Sequence, residues 1–300
     1  MTTTSGDGLL ATSGAPSAAA PAAATAAATA WPAYVKASVA WHLAAGAAAA
    51  IVPSSWPWAL GAVAANHVVL TAGGLWPRSR WLGSNWTRLP ADAAARGEIA
   101  ITIDDGPDPE LTPAILDLLD EHRAHATFFC IAERARARPA LCRAIVARGH
   151  GVENHSDRHT HRFSLLGPRA MAREIAAAQA SLADITGVAP RFFRAPAGLR
   201  NPFLAPVLQR LDLQLVSWTR RGFDTVGNDP TPVLARLLRR LGAGDILLIH
   251  DGHGARDGAG RALALAVLPE LLERVWAADL SPVTLLAAES GATGSAGTQA

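Results

Sequence analysis

Ile99-Ala100-Ile101-Thr102-Ile103-Asp104-Asp105-Gly106-Pro107 decides how this 300-residue chain is read. The run Ile99–Ile103 is mostly β-branched, and such side chains pack well on a pleated sheet, so it reads as a buried strand. It ends abruptly in two carboxylates and a Gly-Pro turn. Adjacent strand residues point to opposite faces, but a turn that begins at Asp105 relaxes that alternation. Both carboxylates then sit at the mouth of a strand end, where open α/β sheets and barrels collect their chemistry. Alone, Asp-Asp-Gly-Pro is also an ordinary polar turn, so the decision falls to the rest of the chain.

Downstream, strands and helices alternate. The strand candidates are Ile99–Asp104, Ala126–Ile131, Gly151–Asn154, Arg191–Arg194, Leu213–Trp218, Asp245–His250 and Val283–Leu286. Helical periodicity fills the gaps at 111–122, 133–148, 168–186, 202–211, 231–241 and 261–278. Gly149, Gly187 and Gly242 stand where helix C-caps are expected, and Pro113 and Pro168 fit near helix starts. Alternation of this kind implies a parallel sheet, either doubly wound or a slightly incomplete barrel. No glycine-rich loop follows the first strand, and the acidic residues there would repel a pyrophosphate, so a nucleotide-binding reading fails.

Upstream, the composition is different. Residues 1–30 are almost entirely Ala, Thr, Ser, Gly and Pro and lack the apolar bulk that offsets ordering entropy, so they read as a disordered tail, as do residues 291–300. No basic residue precedes an apolar core there, which argues against a secretory signal. Within 31–90 lie two apolar segments, Ala37 to Val52 and Trp56 to Trp76, separated by Pro53-Ser54-Ser55. The second carries no charge and is long enough to cross ~30 Å of hydrocarbon; the first is alanine-rich and marginal. Trp31, Trp41, Trp56, Trp58, Trp76, Trp81 and Trp86 gather here as aromatic belts do at membrane interfaces. The expected element is a helical hairpin acting as a membrane anchor, whether one or both segments span, with a soluble hairpin as the alternative. Asn66 and His67 in the second segment need partners, from the other helix or at the interface. Lys36 before the hairpin and Arg78, Arg80 and Arg88 after it place the remaining chain on the cytoplasmic face. A net charge of +2 gives no case for nucleic acid. Cys130 and Cys142 form no scaffold, and Cys130, in an apolar run, reads as a small buried residue.

The polar residues able to do chemistry fall just after strand ends. His155-Ser156-Asp157-Arg158-His159 follows the third strand, and two histidines four apart face one metal if the segment makes a helical turn. His161 competes for the second place. With a carboxylate from another strand end, the pair makes a His₂-carboxylate site with open positions, as a catalytic metal requires. After the fourth strand, Arg194 can pin a carboxylate bidentately, and Pro196-Ala197-Gly198 can turn backbone N–H groups toward a reacting oxygen. Trp218 and Asp224 follow the fifth strand, and the sixth ends in Leu248-Ile249-His250-Asp251.

In this order, Thr102–Pro107, His155-Ser-x-x-His159, Arg194-x-Pro196-x-Gly198, Trp218 with Asp224, and Leu248-x-His250 resemble the polysaccharide deacetylase family, whose shared unit is the NodB homology domain of carbohydrate esterase family 4. The resemblance spans about residues 97–290 and implies a distorted (β/α)7 barrel. It implies Asp104 as general base and Asp105, His155 and His159 as ligands of a divalent metal, zinc first, with cobalt, nickel or manganese as alternatives. It further implies Arg194 as the residue orienting the base, Asp224 as partner of the histidine and His250 as general acid. Ala197 stands where the family usually has Tyr; its N–H still serves the oxyanion, but a pocket wall is lost. Trp218 matches a substrate-pocket aromatic, and Arg221 stands where Asp is common, which bears on the pocket rather than the chemistry. The implied activity is hydrolysis of a non-peptide carbon–nitrogen bond, the N-acetyl or other N-acyl group of an amino sugar in a polysaccharide, oligosaccharide or lipid-linked glycan. A cytoplasmic face favours a lipid-linked or small glycoside. The alternatives are a metal-dependent hydrolase of a non-sugar amide or formamide, and a carbohydrate-binding pseudoenzyme, whose mark, a missing base, ligand or acid, is not seen.

Overall fold

A computed structural model describes residues 31–291. The expected tails lie outside the described residues, except Gly291, the left-handed C-cap of the last helix. In chain order the elements are α1 (Ala33–Ile51), α2 (Trp56–Leu75), α3 (Ala91–Ala95), β1 (Glu98–Asp104), α4 (Leu111–Glu121), β2 (Ala126–Cys130), α5 (Ala132–Ala137), α6 (Pro139–Ala147) and β3 (Gly151–Asn154). There follow α7 (Pro168–Thr186), β4 (Phe192–Phe193), α8 (Leu204–Arg210), β5 (Gln214–Leu215), β6 (Arg220–Arg221), α9 (Pro230–Leu238), β7 (Ile246–His250), α10 (Leu263–Ala277), β8 (Ser281–Pro282) and α11 (Leu285–Ser290).

The named strands all pair in parallel, in the order β5-β4-β3-β2-β1-β7-β6, and β8 joins the start of β1. This is the incomplete (β/α)7 barrel that the resemblance implies, with the apolar hairpin α1–α2 in front of it. Both faces of β1 are covered, so all its residues are buried. Ile99, Ile101 and Ile103 face outward onto α4 and α10 in the main core, each contributing roughly 1.5–3 kcal/mol by burial. Ala100 packs in a separate inner cluster with Phe129, Phe192 and Trp218, and Thr102 and Asp104 share its face by strand alternation. Register then sets the site: Asp104 lies opposite Phe129 and His250, and Cys130 opposite Asn154. Parallel strands in register deliver their carboxyl ends to one rim.

Several boundaries differ from the sequence reading. The helix expected over 133–148 breaks at Arg138, where Pro139 starts a new helix. The last strand is Ser281–Pro282, because Thr284 caps a helix instead, its Oγ1 accepting from Ala287 N–H. The expected C-cap at Gly242 is displaced, since α9 ends at Leu238. Arg220–Arg221 is an added strand beside β7, held there by an ion pair from Arg220 to Asp245 at 3.1 Å.

α1 and α2 lie antiparallel. Asn66 donates to Ser38 Oγ at 2.6 Å and accepts from Tyr34 at 3.2 Å, and His67 meets His42 at 3.2 Å. Asn66 and His67 of the second segment thus face the other helix. Pro53–Leu75 is long and apolar enough to cross a membrane. The hairpin projects from the barrel, leaving Ile51 80% and Trp58 83% exposed at its tip. Its base is fixed where Arg200 N–H donates to Gly74 carbonyl, at a point where a Cβ on Gly74 would strike that backbone.

Candidate active site

Asp105 adopts φ 77, and this left-handed residue breaks the strand alternation at the end of β1. Asp104 and Asp105 therefore both reach the rim, as the turn predicted. The next residue must be glycine, because a Cβ on Gly106 would meet the Asp251 carboxylate. Asp251 is fully buried, which pushes its carboxyl up to about 7, and it accepts a hydrogen bond from Thr112.

Asp105, His155 and His159 place one potential ligand atom each within 4.8 Å of one another. His155 Nε2 and His159 Nε2 both lie 3.3 Å from Asp105 Oδ1. That oxygen is buried and without a hydrogen-bond partner among the described residues. His155 Nδ1 lies 2.9 Å from the Arg194 carbonyl, which can only accept. Nδ1 therefore carries the proton, and the Nε2 lone pair is free. An orphaned carboxylate oxygen facing two imidazole nitrogens fits a divalent cation.

The histidines do not meet on a helical turn, as the spacing suggested. Left-handed bends at Ser156 (φ 68) and His159 (φ 51) bring their ring centroids to 4.8 Å. Asn154 Oδ1 and Ser156 Oγ accept from the N–H groups of Ser156 and His159 and fix the bends. His161 lines the same cavity but stands outside the cluster. Burial would raise the Asp105 carboxyl, but the close approach of His155 and the positive potential of His159 and His250 hold it well below the usual carboxylate range. Burial, helped by His155, lowers His159 to about 4. Burial also opposes charge on His155, yet the carboxylates of Asp104 and Asp105 raise it.

Arg194 is fully buried, and one of its nitrogens donates to Asp104 Oδ1 at 2.6 Å and to Thr102 Oγ1 at 2.8 Å. The grip is not bidentate. The other guanidinium nitrogens donate to the carbonyls of Val216 and Ser217, and the fork lies 4.1 Å from the Phe129 ring centre. Asp104 Oδ2 is 3.9 Å from His155 Nε2, at the edge of the cluster. Across the rim, Asp224 binds His250 twice, at 2.9 Å to Nδ1 and 2.7 Å from its backbone N–H. Burial alone would lower His250; the bond to Asp224 and its charge raise it.

Ala197 (φ 54) lies in the Pro196–Gly198 turn, and its N–H has no partner among the described residues. The turn is wedged in place, since a Cβ on Gly198 would strike Trp218 and Pro77. Asp104, Asp105, His159, Ala197, Trp218 and His250 line one cavity of about 530 Å³. The predicted set thus converges on one rim.

Two residues escaped the sequence reading. His253 Nδ1 lies 3.1 Å from Asp105 Oδ2, and its Nε2 lies 3.0 Å from Arg134. Arg134 also donates to the carbonyls of Asp105 (2.7 Å) and Gly252 (3.1 Å). Since arginine only donates, His253 accepts at Nε2 and gives its Nδ1 proton to Asp105. The available signal was the position of His253, just past a strand end that already carried His250 and Asp251.

The family model for polysaccharide deacetylase matches residues 91–216. A peptidoglycan-N-acetylglucosamine deacetylase of Bacillus cereus is 33% identical over 175 residues, covering 58% of this chain and 81% of the relative. A chitooligosaccharide deacetylase of Azorhizobium caulinodans is 33% identical over 198 residues, covering 62% and 94%. Among solved structures, a family 4 carbohydrate esterase from Streptomyces lividans in complex with acetate superposes with a TM-score of 0.56 at 31% identity, covering 62% and 91%. With this fold, this rim and these relatives, the chain belongs to the polysaccharide deacetylase family and is a hydrolase of non-peptide carbon–nitrogen bonds.

Proposed function

We propose that the protein is a divalent-metal-dependent N-deacetylase acting on an N-acetylglucosamine-containing glycan, anchored to a membrane by its hairpin. The observation that carries this reading is the meeting of the orphaned Asp105 oxygen and two imidazole nitrogens beside a buried Arg194–Asp104 pair. Asp105, His155 and His159 would hold the metal, with zinc favoured by the two nitrogens and one oxygen. When bound, such a cation supplies Lewis acidity, polarising an amide carbonyl and making water more acidic.

The chain's own groups do the rest. Asp104, oriented by Arg194, takes the proton of the attacking water. The free N–H of Ala197 donates to the oxygen that becomes negative at the acyl carbon. His250, charged against Asp224, protonates the leaving amine. Trp218 walls the pocket for the acyl group and sugar. No base, acid or ligand is missing, which favours an enzyme over a binding-only relative.

The exposed apolar tip, the interhelical polar contacts and the tryptophans of the hairpin support a membrane anchor. The arginines that follow it favour a catalytic domain on the cytoplasmic face, where a lipid-linked or small glycoside is the substrate. A reporter fused at the C-terminus tests this; a signal from the opposite face would reverse the orientation.

Acetate release from a panel of N-acetylated amino sugars, chitooligosaccharides and peptidoglycan fragments tests the reaction. Metal-loaded protein is expected to release acetate from the sugars and to leave cyclic imides and formamides intact; ring opening or formate release, with no acetate from any sugar, would defeat the assignment. A companion prediction concerns His253 and Arg134. His253→Ala is expected to weaken zinc binding ~10–100-fold, and His253→Asn, which keeps an N–H near Asp105 Oδ2, is expected to recover part of it. Chelator competition measures both; equal affinity in all three proteins would leave His253 without a positioning role.

A further inference from the structure

We propose that Arg221 is an anion-recognition residue of the substrate pocket, binding a phosphate or carboxylate carried by the N-acyl amino sugar. The inference rests on the deacetylase reading and adds to it the charge of the substrate. Neighbours on a strand face opposite ways, and β6 is Arg220–Arg221. Arg220 turns to Asp245 and is neutralised there. Arg221 turns into the cavity shared with Asp104, Trp218 and His250.

There the guanidinium meets rings instead of acceptors. Its central carbon lies 5.4 Å from the Trp218 ring centre and 5.0 Å from that of Phe223. Among the described residues no carboxylate pairs with it, and its Nε is buried without a partner. The other arginines of the cavity are answered by protein oxygens, Arg134 by the carbonyls of Asp105 and Gly252 and Arg158 by Asp157 at 3.6 Å, and Arg194 beneath it is answered by Asp104. A half-buried charge with no counter-ion is costly to hold, and aromatic faces offset only part of that cost. A guanidinium held on rings keeps its in-plane N–H edge open, the geometry that takes two oxygens of one anion.

The source of the anion is suggested by what lies behind Trp218. Pro77, two residues past α2, packs against Gly198, and its carbonyl accepts from Ser217 Oγ at 2.6 Å. Arg78 donates to the Thr219 carbonyl at 3.4 Å. The wall that carries Arg221 is therefore the wall from which the apolar hairpin departs. A phosphate joining an amino sugar to a lipid would approach from this side. A carboxylate on an acidic amino sugar offers the same oxygens from solution.

Full-length, metal-loaded protein is compared on N-acetylglucosamine 1-phosphate, N-acetylmuramic acid and an uncharged methyl glycoside of N-acetylglucosamine. The parent is expected to favour an anionic substrate by ~10–100-fold in kcat/KM, the range of a charge-assisted hydrogen bond. That ratio is expected to fall near one in Arg221→Gln and to persist in part in Arg221→Lys. Preference for the phosphate points to a lipid-phosphate source, and preference for the carboxylate to an acidic sugar. Calorimetric binding of the same three compounds to Asp104→Asn, with and without Arg221→Gln, separates the two levels of inference. Arg221-dependent anion binding without acetate release would sink the deacetylase reading and keep the anion site. Acetate release with no charge preference, or a preference untouched by Arg221→Gln, would overturn the anion site alone.

Discussion

The Asp104→Asn protein is expected to turn over ~10²–10⁴-fold more slowly than the parent while retaining its divalent metal. The amide oxygen still accepts from Arg194, so the buried guanidinium keeps a partner, but the side chain no longer takes a proton. Asp104 stands at the edge of the ligand cluster, with Oδ2 3.9 Å from His155 against 3.3 Å for Asp105 Oδ1. Asp105→Asn is expected to fail differently, losing the metal because the oxygen between the two imidazoles loses its charge. Metal analysis of the two purified variants, beside acetate release, reads the contrast. Chelation should silence the parent, and added zinc should restore it while leaving Asp104→Asn silent. An empty site in Asp104→Asn would reverse the division of labour between the two carboxylates. Because Arg194 is buried against Asp104, thermal unfolding of each variant separates a chemical loss from a folding one.

The sequence exposed the barrel because its longest strands, β1, β2 and β7, are apolar runs cut off by polar or turn residues, and because parallel pairing carries their ends to one rim. That rule brings Asp104, His155, Arg194 and His250 to one rim from the sequence alone. Local pattern failed where tertiary contacts decide. Arg220–Arg221 has no strand character of its own; it is a strand because Asp245 anchors one arginine and two rings receive the other. The His155–His159 spacing suggested one helical turn, whereas left-handed bends at Ser156 and His159 bring the rings together. Such bends depend on side-chain acceptors, here Asn154 and Ser156, that periodicity does not weigh. His253 was missed for a related reason: its role appears only with Arg134, distant in sequence, on its other nitrogen. The break before Pro139 was legible, since a proline removes a helical donor, but the apolar period ran through it.

Asp224→Asn is expected to lower kcat at neutral pH by ~10²-fold or more and to move the alkaline limb of the pH–rate profile to lower pH. The acid must be protonated, so activity falls as pH rises through the His250 pKa. Burial disfavours the imidazolium, and the Asp224 bond and charge override it, holding the pKa above the ordinary value of 6.5. The parent's alkaline limb therefore lies above 6.5. Asparagine removes the counter-charge and cannot accept from both His250 N–H groups, which Asp224 now does at 2.9 and 2.7 Å. Burial then dominates, the pKa drops below 6.5, and the charged fraction at pH 7 becomes small. His250→Gln supplies the comparison: it lacks the acid altogether, so its profile should lose the limb instead of shifting it. An alkaline limb unmoved in Asp224→Asn would assign that titration to another group and leave the leaving amine to be protonated from solvent.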